Sequence, residues 1–285
     1  MKKSDFRYFD RLRVRWAEVD MQKIVFNGHY LMYFDTAVAG YWRALAMPYH
    51  ETMELLQGDM FVRKATVEYL GSARYDDQCE VGIRCERIGN SSMLFAAALF
   101  RGETLLVHGE LVYVFADPAT QTARPVPPPL REVLLGFEAG EPMLDVRTGT
   151  WDLLGREAQA LRTSVFVDEQ QIPAELEWDA ADAECVHAVA FNRFGMAVGT
   201  GRLLEHAPGT VKVGRMAVLA SLRGSRVGRA VLDALVEVAR GRGERELMLH
   251  AQTSAVGFYA RAGFTPRGPV FTEAGIPHQE MVRAL

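Results

Sequence analysis

The sequence predicts two α+β domains in one chain of 285 residues. The length is about twice that of an average domain, and 49% hydrophobic with 24% charged residues is typical of a chain with ordinary buried cores. Strand-like and helix-like segments also follow one another in two separate series, which a proline-rich stretch at 118–129 divides. We therefore expect domains at 1–139 and 150–285, joined by a linker at 140–149.

Composition and charge exclude several classes of protein. The longest uninterrupted apolar run, at 93–100, is well short of the ~20 residues that a membrane-spanning helix needs. The charged N-terminal segment does not resemble a signal peptide, so we expect a cytoplasmic protein. The net charge of −4 is shared evenly by the two halves, so binding of nucleic acid or of a membrane surface is not predicted. The three cysteines, Cys79, Cys85 and Cys185, lack metal-ligand spacing and predict neither disulfides nor a metal site.

The elements of the first half predict an α+β domain with a buried helix. Alternating polar and apolar residues at 12–16 indicate a strand. A helix follows, with Asn27 and Gly28 as its expected cap and with apolar residues at three-and-four spacing over 30–45. It is so apolar that we expect a sheet to wrap around it. Four strand-like runs follow at 61–69, 79–87, 93–100 and 105–115, and a short helix at 130–137 completes the half.

The carboxylate of Asp20 comes at the end of the first strand segment, shortly before the helix that starts near Asn27. A helix N-terminus offers unpaired N–H groups and the positive end of the helix dipole. Such N–H groups can polarise a carbonyl while a nearby carboxylate attacks it or deprotonates water. This pattern is compatible with acyl transfer. The alternative is that Asp20 only caps a turn after a strand, as aspartate often does.

Residues of about 7–138 resemble the hotdog-fold acyl-CoA thioesterases of the 4-hydroxybenzoyl-CoA thioesterase family. The resemblance implies a sheet wrapped around a long central helix and hydrolysis of an acyl-CoA thioester. It assigns the catalytic carboxylate to Asp20 and places the backbone amide of Asn27 at the thioester oxygen. It also implies a homodimer or homotetramer with the site between subunits. The segments that carry the resemblance are 19–20, 24–27, 30–31, 68–70, 73–77, 114–117 and 124–127.

The second half alternates helices and strands. A helix that Asp152 is expected to cap runs toward residue 167, and the acidic stretch 168–184 then contains no Lys or Arg. Two or three strands are expected between 186 and 218, followed by a helix with one apolar face that starts near Val227. A short strand at 247–249, a short helix at 254–262 and a final strand complete the series.

The segment 223–229 joins a strand to a helix through a loop that contains glycine. Backbone amides at such a junction can bind an anion, and the flanking arginines can pair with phosphates, so a pyrophosphate would fit. The alternative is a glycine-containing turn that merely caps an amphipathic helix. The segment 199–202 lacks the third glycine and the helix of a dinucleotide fingerprint. Five basic residues without an intervening acid could hold a small polyanion: Lys212, Arg215, Arg223, Arg226 and Arg229.

Residues of about 150–285 resemble GNAT-family N-acetyltransferases of the ElaA-like branch, which implies a mixed α/β domain that binds acetyl-CoA. The segments that carry this resemblance are 161–162, 165–170, 214–218, 223–228, 250–252, 258–259, 263–264 and 273–278. It implies that Tyr259 protonates the departing thiolate. The general base stays open among Glu169, His187, His250 and His278. The acetyl-CoA-binding residues that the resemblance implies are Met216, Ala217, Val218, Arg223, Gly224, Ser225, Arg226, Val227, Gly228 and Arg229.

Together the two resemblances predict a bifunctional acyl-CoA enzyme without a permanently bound cofactor. The first domain would hydrolyse an acyl-CoA thioester, and the second would transfer an acetyl group from acetyl-CoA to an amine. The alternative is that only one half is catalytic and that the other serves as an acyl-CoA-binding sensor or scaffold.

Overall fold

The computed structural model describes residues 1–285 apart from the side chain of Leu176. The chain divides into two compact units, Met1–Met143 and Leu144–Leu285, and each unit has its own sheet. Among the described residues, no helix is both long enough and apolar enough to cross a membrane.

The first unit combines one antiparallel sheet with three helices. Its elements are β1 (Tyr8–Arg13), α1 (Asn27–Ala44), α2 (Tyr49–Leu56), β2 (Asp59–Tyr69), β3 (Gln78–Ile88), β4 (Ser92–Arg101), β5 (Thr104–Ala116) and α3 (Pro128–Ala139). The strands are ordered β1-β3-β4-β5-β2, so β1 and β2 form the two edges of the sheet. The sequence prediction omits α2, which lies between two predicted elements.

Helix α1 forms the centre of this unit, as its apolar pattern predicts. It packs against β1 and β2 at the two edges of the sheet and against β3 inside it, which means that the sheet curves around the helix. Phe34 and Tyr41 are fully buried, and the ring of Tyr41 contacts Phe95 of β4 and Phe137 of α3. Burial of these aromatic side chains supplies the main driving force for folding of the unit.

The expected cap of α1 is wrong by one residue. Asn27 is the first helical residue, and Phe26 occupies the N-cap position without a side-chain hydrogen bond. The phenyl ring of Phe26 covers the first turn, because a Cβ atom at Gly28 would lie only 2.9 Å from its Cε1 atom. Gly28 therefore allows this ring to approach the helix and does not act as a cap.

The second unit is a seven-stranded mixed sheet with helices packed against it. Its elements are β6 (Leu144–Gly149), α4 (Trp151–Arg162), α5 (Ala174–Glu177), β7 (Val186–Asn192), β8 (Ala197–Ala207), β9 (Thr210–Val218), α6 (Val227–Gly241), β10 (Glu246–Gln252), α7 (Val256–Arg261), β11 (Thr265–Glu273) and β12 (Ile276–Ala284). The strand order is β11-β12-β10-β9-β8-β7-β6. A π-helical segment, Thr163–Glu169, continues α4.

Strands β9 and β10 are parallel neighbours that separate along their length. Their pairing runs from Thr210 opposite Glu246 to Val213 opposite Leu249. Beyond that point β9 stays paired with β8 and β10 stays paired with β12. We call this separation the fork; its closed end is at Val213 and Leu249.

Gly199 and Gly201 on β8 let α6 pack closely onto the sheet. A Cβ atom at Gly199 would lie 2.6 Å from Cγ1 of Val227, and one at Gly201 would lie 3.1 Å from Cδ1 of Leu235 and 3.2 Å from Cγ1 of Val231. The short glycine motif in this strand therefore serves helix–sheet packing.

Two sequence expectations at the start of the second unit are wrong. Residues 144–149 of the expected linker 140–149 form strand β6, which pairs antiparallel with β7 at the sheet edge. This strand is short and half exposed, so its sequence carries little apolar signal. The N-cap of α4 is Thr150, and Asp152 lies in the first turn instead, where its charge favours the positive end of the helix dipole.

Acidic residues of the stretch 168–184 form ion pairs with arginines that lie on other elements. Arg162 of α4 is 1% exposed; its Nε donates to Oε1 of Glu177 at 2.6 Å and its Nη1 donates to Oδ1 of Asp182 at 2.7 Å. Arg202 of β8 pairs with Asp182 and with Asp179 at 2.7 Å. The stretch therefore folds around arginines that come from α4 and the sheet.

Candidate functional site

Asp20 lies in a tight turn that the backbone holds in place. Val19 and Val25 form an antiparallel bridge across it, and the N–H of Asp20 donates to the carbonyl of Ile24 at 2.9 Å. The N–H of Val25 donates to the carbonyl of Ala73 at 2.9 Å, which fixes the turn to the loop before β3.

The carboxylate of Asp20 is half-buried and accepts a hydrogen bond from the N–H of Gln22 at 2.8 Å through Oδ1. Asp20 therefore caps its turn, as the simpler interpretation of the sequence predicts. An ionised carboxylate has about four acceptor positions on two oxygens, so this single contact is compatible with a second role for the group.

The N-terminus of α1 is tied to the segment that precedes Asp20. The N–H of Phe26 donates to the carbonyl of Glu18 at 2.9 Å, and the hydroxyl of Tyr69 donates to the carbonyl of Asn27 at 3.2 Å. Asn27 is exposed at the first helical position, where a helix leaves its N–H groups without intrahelical partners. This end of the helix can therefore offer donors to a substrate.

Sequence reasoning missed Glu18, a carboxylate that is only 4% exposed. It accepts hydrogen bonds from the hydroxyl of Tyr33 and from the backbone N–H of Arg15, both at 2.7 Å, and it pairs with the Arg15 guanidinium. Burial acts to raise the pKa of Glu18, but these hydrogen bonds outweigh it and hold the pKa below its usual value. Glu18 therefore stays ionised and fixes the chain ahead of Asp20.

A cleft of about 670 Å³ lies at the open end of the fork in the second unit. Both separated strands contribute to its wall, together with the loop before α6 and with α7. Its lining includes Met216, Val218, Arg223, Gly228, Gln252 and Tyr259.

The loop before α6 can bind an anion at the mouth of this cleft. Gly224 and Arg226 have positive φ angles of 84° and 69°, and α6 begins at Val227 with its first N–H groups free of intrahelical partners. Gly228 lines the cleft, where a Cβ atom would meet Cγ2 of Val218 at 3.3 Å. Arg226 and Arg229 line it too, which adds positive charge to the helix dipole.

The basic residues that the sequence groups together lie in two different places, at the cleft and farther along β9. Arg223 lines the cleft and makes a bidentate pair with Glu169 at 2.6 Å, and Arg229 lines it and pairs with Asp233 at 2.8 Å. Arg215 pairs with Glu177 and Asp179, and Lys212 contacts His250, so these two cations serve another part of β9.

Three of the residues implied in acetyl-CoA binding turn their side chains away from the cleft. Ala217 and Val227 are buried in the core, and the hydroxyl of Ser225 donates to the carbonyl of Leu222 at 2.5 Å. Any contact of these residues with a ligand would be made by the backbone.

Tyr259 of α7 lines the cleft and is 8% exposed. Its ring packs against those of Phe258 and Phe264, with centroids 4.9 and 5.9 Å away. Burial raises the pKa of Tyr259 to about 12. The phenol therefore keeps its proton at neutral pH and can donate it.

The four candidate bases occupy different environments. The hydrogen bond from Arg223 holds the pKa of Glu169 below its usual value, which makes Glu169 a poor base. His187 is buried against Trp151, its Nε2 contacts the carbonyl of Asp182 at 2.8 Å, and burial lowers its pKa. Nδ1 of His278 contacts the carbonyl of Ile276 at 2.8 Å. His250 lies at the fork.

No group of three or more His, Cys, Asp or Glu side chains among the described residues is arranged to hold a metal ion.

Gly228→Asp is expected to raise the Kd of the full chain for acetyl-CoA at least about tenfold, because it places a negative charge where phosphate is expected. Isothermal titration calorimetry measures this effect. Gly228→Ala is the matched control: it adds the Cβ atom without the charge and should change the Kd much less. Equal affinities of the aspartate variant and the parent, with an intact fold by circular dichroism, would contradict the placement of phosphate at this loop.

Two sequence profiles match the chain. A profile described as thioesterase superfamily matches residues 22–108, and one described as acetyltransferase (GNAT) domain matches residues 156–285. The thioesterase match begins just after Asp20.

Individual relatives match one half of the chain each. The uncharacterised N-acetyltransferase YjcF of Bacillus subtilis is 37% identical over 129 residues, which cover 45% of this chain and 91% of YjcF. ElaA of Escherichia coli is 31% identical over 129 residues, 44% of this chain and 84% of ElaA, and the crystal structure of ElaA aligns with a TM-score of 0.45. A DHNA-CoA thioesterase structure from Staphylococcus aureus is 20% identical, covers 46% of this chain and 90% of that protein, and has a TM-score of 0.42.

Proposed function

This chain belongs to the GNAT acetyltransferase family through residues 156–285 and carries a thioesterase-superfamily domain at 22–108, and from that premise we propose that it is a bifunctional acyl-CoA enzyme. The first unit hydrolyses an acyl-CoA thioester, and the second unit transfers an acetyl group from acetyl-CoA to an amine. The observation that carries the proposal is the cleft at the fork, where an anion-binding loop and a protonated phenol line one cavity.

Acetyl-CoA binds in this cleft with its pyrophosphate on the N–H groups at the start of α6, beside Arg226 and Arg229. The pantetheine arm lies extended in the fork, where β9 and β10 no longer pair with each other and their facing backbone groups can bind it. Its thioester then points toward the closed end of the fork. The amine attacks the carbonyl carbon, the C–S bond breaks, and the thiolate takes the proton of Tyr259.

Tyr259→Phe is expected to lower kcat of acetyl transfer about 10²-fold, at the lower end for a general acid, because a thiolate already leaves readily. The Kd for acetyl-CoA should change little, since the hydroxyl acts mainly in the transition state. Steady-state kinetics with a saturating amine measure this effect.

Phe264→Leu is the packing control for Tyr259. It removes part of the ring contact at 5.9 Å but leaves the phenol, so it should lower stability and leave kcat near the parent value. A Tyr259→Phe variant as fast as the parent, with transfer itself rate-limiting, would exclude the general-acid role.

Asp20 supplies the carboxylate for thioester hydrolysis in the first unit. It either attacks the thioester carbon or deprotonates the attacking water, while the N–H of Asn27 at the start of α1 polarises the carbonyl oxygen. The position of Asp20 in a turn tied to the start of this helix supports the proposal.

The first unit forms a homodimer or homotetramer. Large apolar side chains are exposed next to the Asp20 turn and at the end of the edge strand β2, and a second copy would cover them. They are Met21, Phe26, Leu31, Met32, Tyr69 and Leu70. Light scattering of the full chain measures the oligomeric state, and a monomer at micromolar concentration would contradict the pairing.

Release of free CoA thiol separates this function from its alternative. A panel of acyl-CoAs is incubated with the full chain, first without and then with primary amines. Hydrolysis releases thiol without an amine, and acetyl transfer releases it only with one. If one of these two activities is absent while the unit still binds CoA thioesters, that unit is a sensor or scaffold.

A further inference from the structure

Polar side chains from neighbouring strands share one face of the second sheet at the fork. His250 and Gln252 alternate with a residue between them on β10, so they point to the same face. Glu280 and His278 lie directly opposite them on β12 and therefore share that face. Because Gln252 lines the cleft, this face continues into the cavity that we propose for acetyl-CoA.

His250 is the first residue of β10 beyond the last pair with β9, Leu249 opposite Val213. It therefore lies at the closed end of the fork, about 7 Å along the strand from Gln252. Its side chain is 25% exposed, and its ring packs edge-on against Phe271 of β11. An acyl group at the tip of an arm that enters from the α6 loop would reach this end.

Two contacts of Nδ1 of His250 favour one of the two tautomers of the ring. Nδ1 lies 2.9 Å from Oε2 of Glu273 and 3.2 Å from Nζ of Lys212. One nitrogen cannot both donate to the carboxylate and accept from the ammonium. With the proton on Nδ1 and directed at Glu273, Lys212 remains only a neighbouring charge, and Nε2 of the neutral ring has a free lone pair.

Glu273 is suited to this role because it is ionised. Burial acts to raise its pKa, but the hydrogen bond from His250 and the charge of Lys212 act to lower it, and the pKa lies below its usual value. Glu280, whose carboxylate is 3.9 Å from Nε2, is itself paired with Arg267.

We propose that His250 is the general base of acetyl transfer and that Glu273 is a positioning residue that fixes its ring and tautomer. The inference rests on the proposed function of the second unit. The amine nitrogen attacks the thioester carbon, an N–C bond forms, and the C–S bond breaks. The proton of the nitrogen passes to Nε2 of His250 and the thiolate takes the proton of Tyr259, so the products are an N-acetyl amine and CoA thiol.

The test uses the full chain with acetyl-CoA and a panel of aliphatic primary amines. His250→Gln is expected to lower kcat about 10²-fold near neutral pH without changing the Kd for acetyl-CoA. The loss should shrink at higher pH, where a larger fraction of the amine is already neutral. Glu273→Gln should lower kcat less, about tenfold, and should change the pH profile, because the amide can still accept the hydrogen bond but lacks the charge.

His206→Gln is the matched control, with the same substitution at an exposed histidine of β8 in the same unit. It should keep the parent kcat and the parent pH profile. Amine-independent thiol release, which comes from the first unit, should be unchanged in all three variants.

Three outcomes would overturn the assignment. A His250→Gln variant with the parent rate and pH profile, or a His206→Gln variant that reproduces the loss, excludes His250 as the base and leaves the proposed function in place. A parent chain that binds acetyl-CoA but acetylates no amine overturns the proposed function together with this inference.

Discussion

An Asp20→Asn variant is expected to hydrolyse acyl-CoA about 10³-fold more slowly than the parent, within the range for removal of a catalytic acid or base. Asparagine has the same shape, and its amide oxygen can still accept the hydrogen bond that Asp20 receives from Gln22. The turn should therefore persist while the nucleophile or base is lost. Thiol release without an amine measures the rate, and binding of a slow acyl-CoA substrate should be nearly unchanged.

The matched control for Asp20 is Asp117, a second aspartate that caps a turn in the same unit. Its Oδ1 accepts hydrogen bonds from the N–H groups of Ala119 and Thr120 at 2.9 and 3.0 Å. Asp117→Asn should keep the parent rate of hydrolysis. If Asp20→Asn keeps it as well, Asp20 only caps its turn and the proposed hydrolytic role is excluded.

Replacing Arg162 by Met is expected to lower the free energy of unfolding of the second unit by about 3–5 kcal/mol, the usual cost of removing one partner of a buried ion pair. The change leaves the buried carboxylates of Glu177 and Asp182 without the guanidinium that pairs with both. Urea denaturation followed by tryptophan fluorescence measures the loss.

Arg156→Met on the same helix is the control for this effect. The side chain of Arg156 is 94% exposed and lies 3.6 Å from Glu157, so its loss should change the free energy of unfolding by no more than about 0.5 kcal/mol. Equal stability of the Arg162 and Arg156 variants would show that the buried network does not stabilise the unit.

Local patterns in the sequence predict most of the fold. The three-and-four spacing in α1 and the alternation in the later strands depend only on neighbouring residues. Both units contain most of the predicted elements, together with α2 and β6, which were not predicted. Strand β6 was not predicted because it is short, half exposed and paired at a sheet edge. Its apolar pattern is too weak to distinguish a strand from a linker.

The candidate sites were less predictable because they depend on long-range contacts. The sequence indicates Asp20, the loop before α6 and Tyr259, since each is part of a local pattern or a family resemblance. It does not indicate that Glu169 pairs with Arg223, 54 residues away. It also does not indicate that β9 and β10 separate at Val213 and Leu249, because the fork depends on strand pairing and not on composition.

Under the proposed function, one chain contains two independent CoA thioester sites. Release of CoA thiol, measured with and without an amine, distinguishes the two sites in four proteins: the parent, Asp20→Asn, Gly228→Asp and the double variant. We expect Asp20→Asn to lower only the amine-independent release, Gly228→Asp to lower only the amine-dependent release at acetyl-CoA concentrations below the Kd of the variant, and the double variant to lower both. Loss of both activities through either single substitution, or of neither through the two together, would contradict the presence of two independent sites.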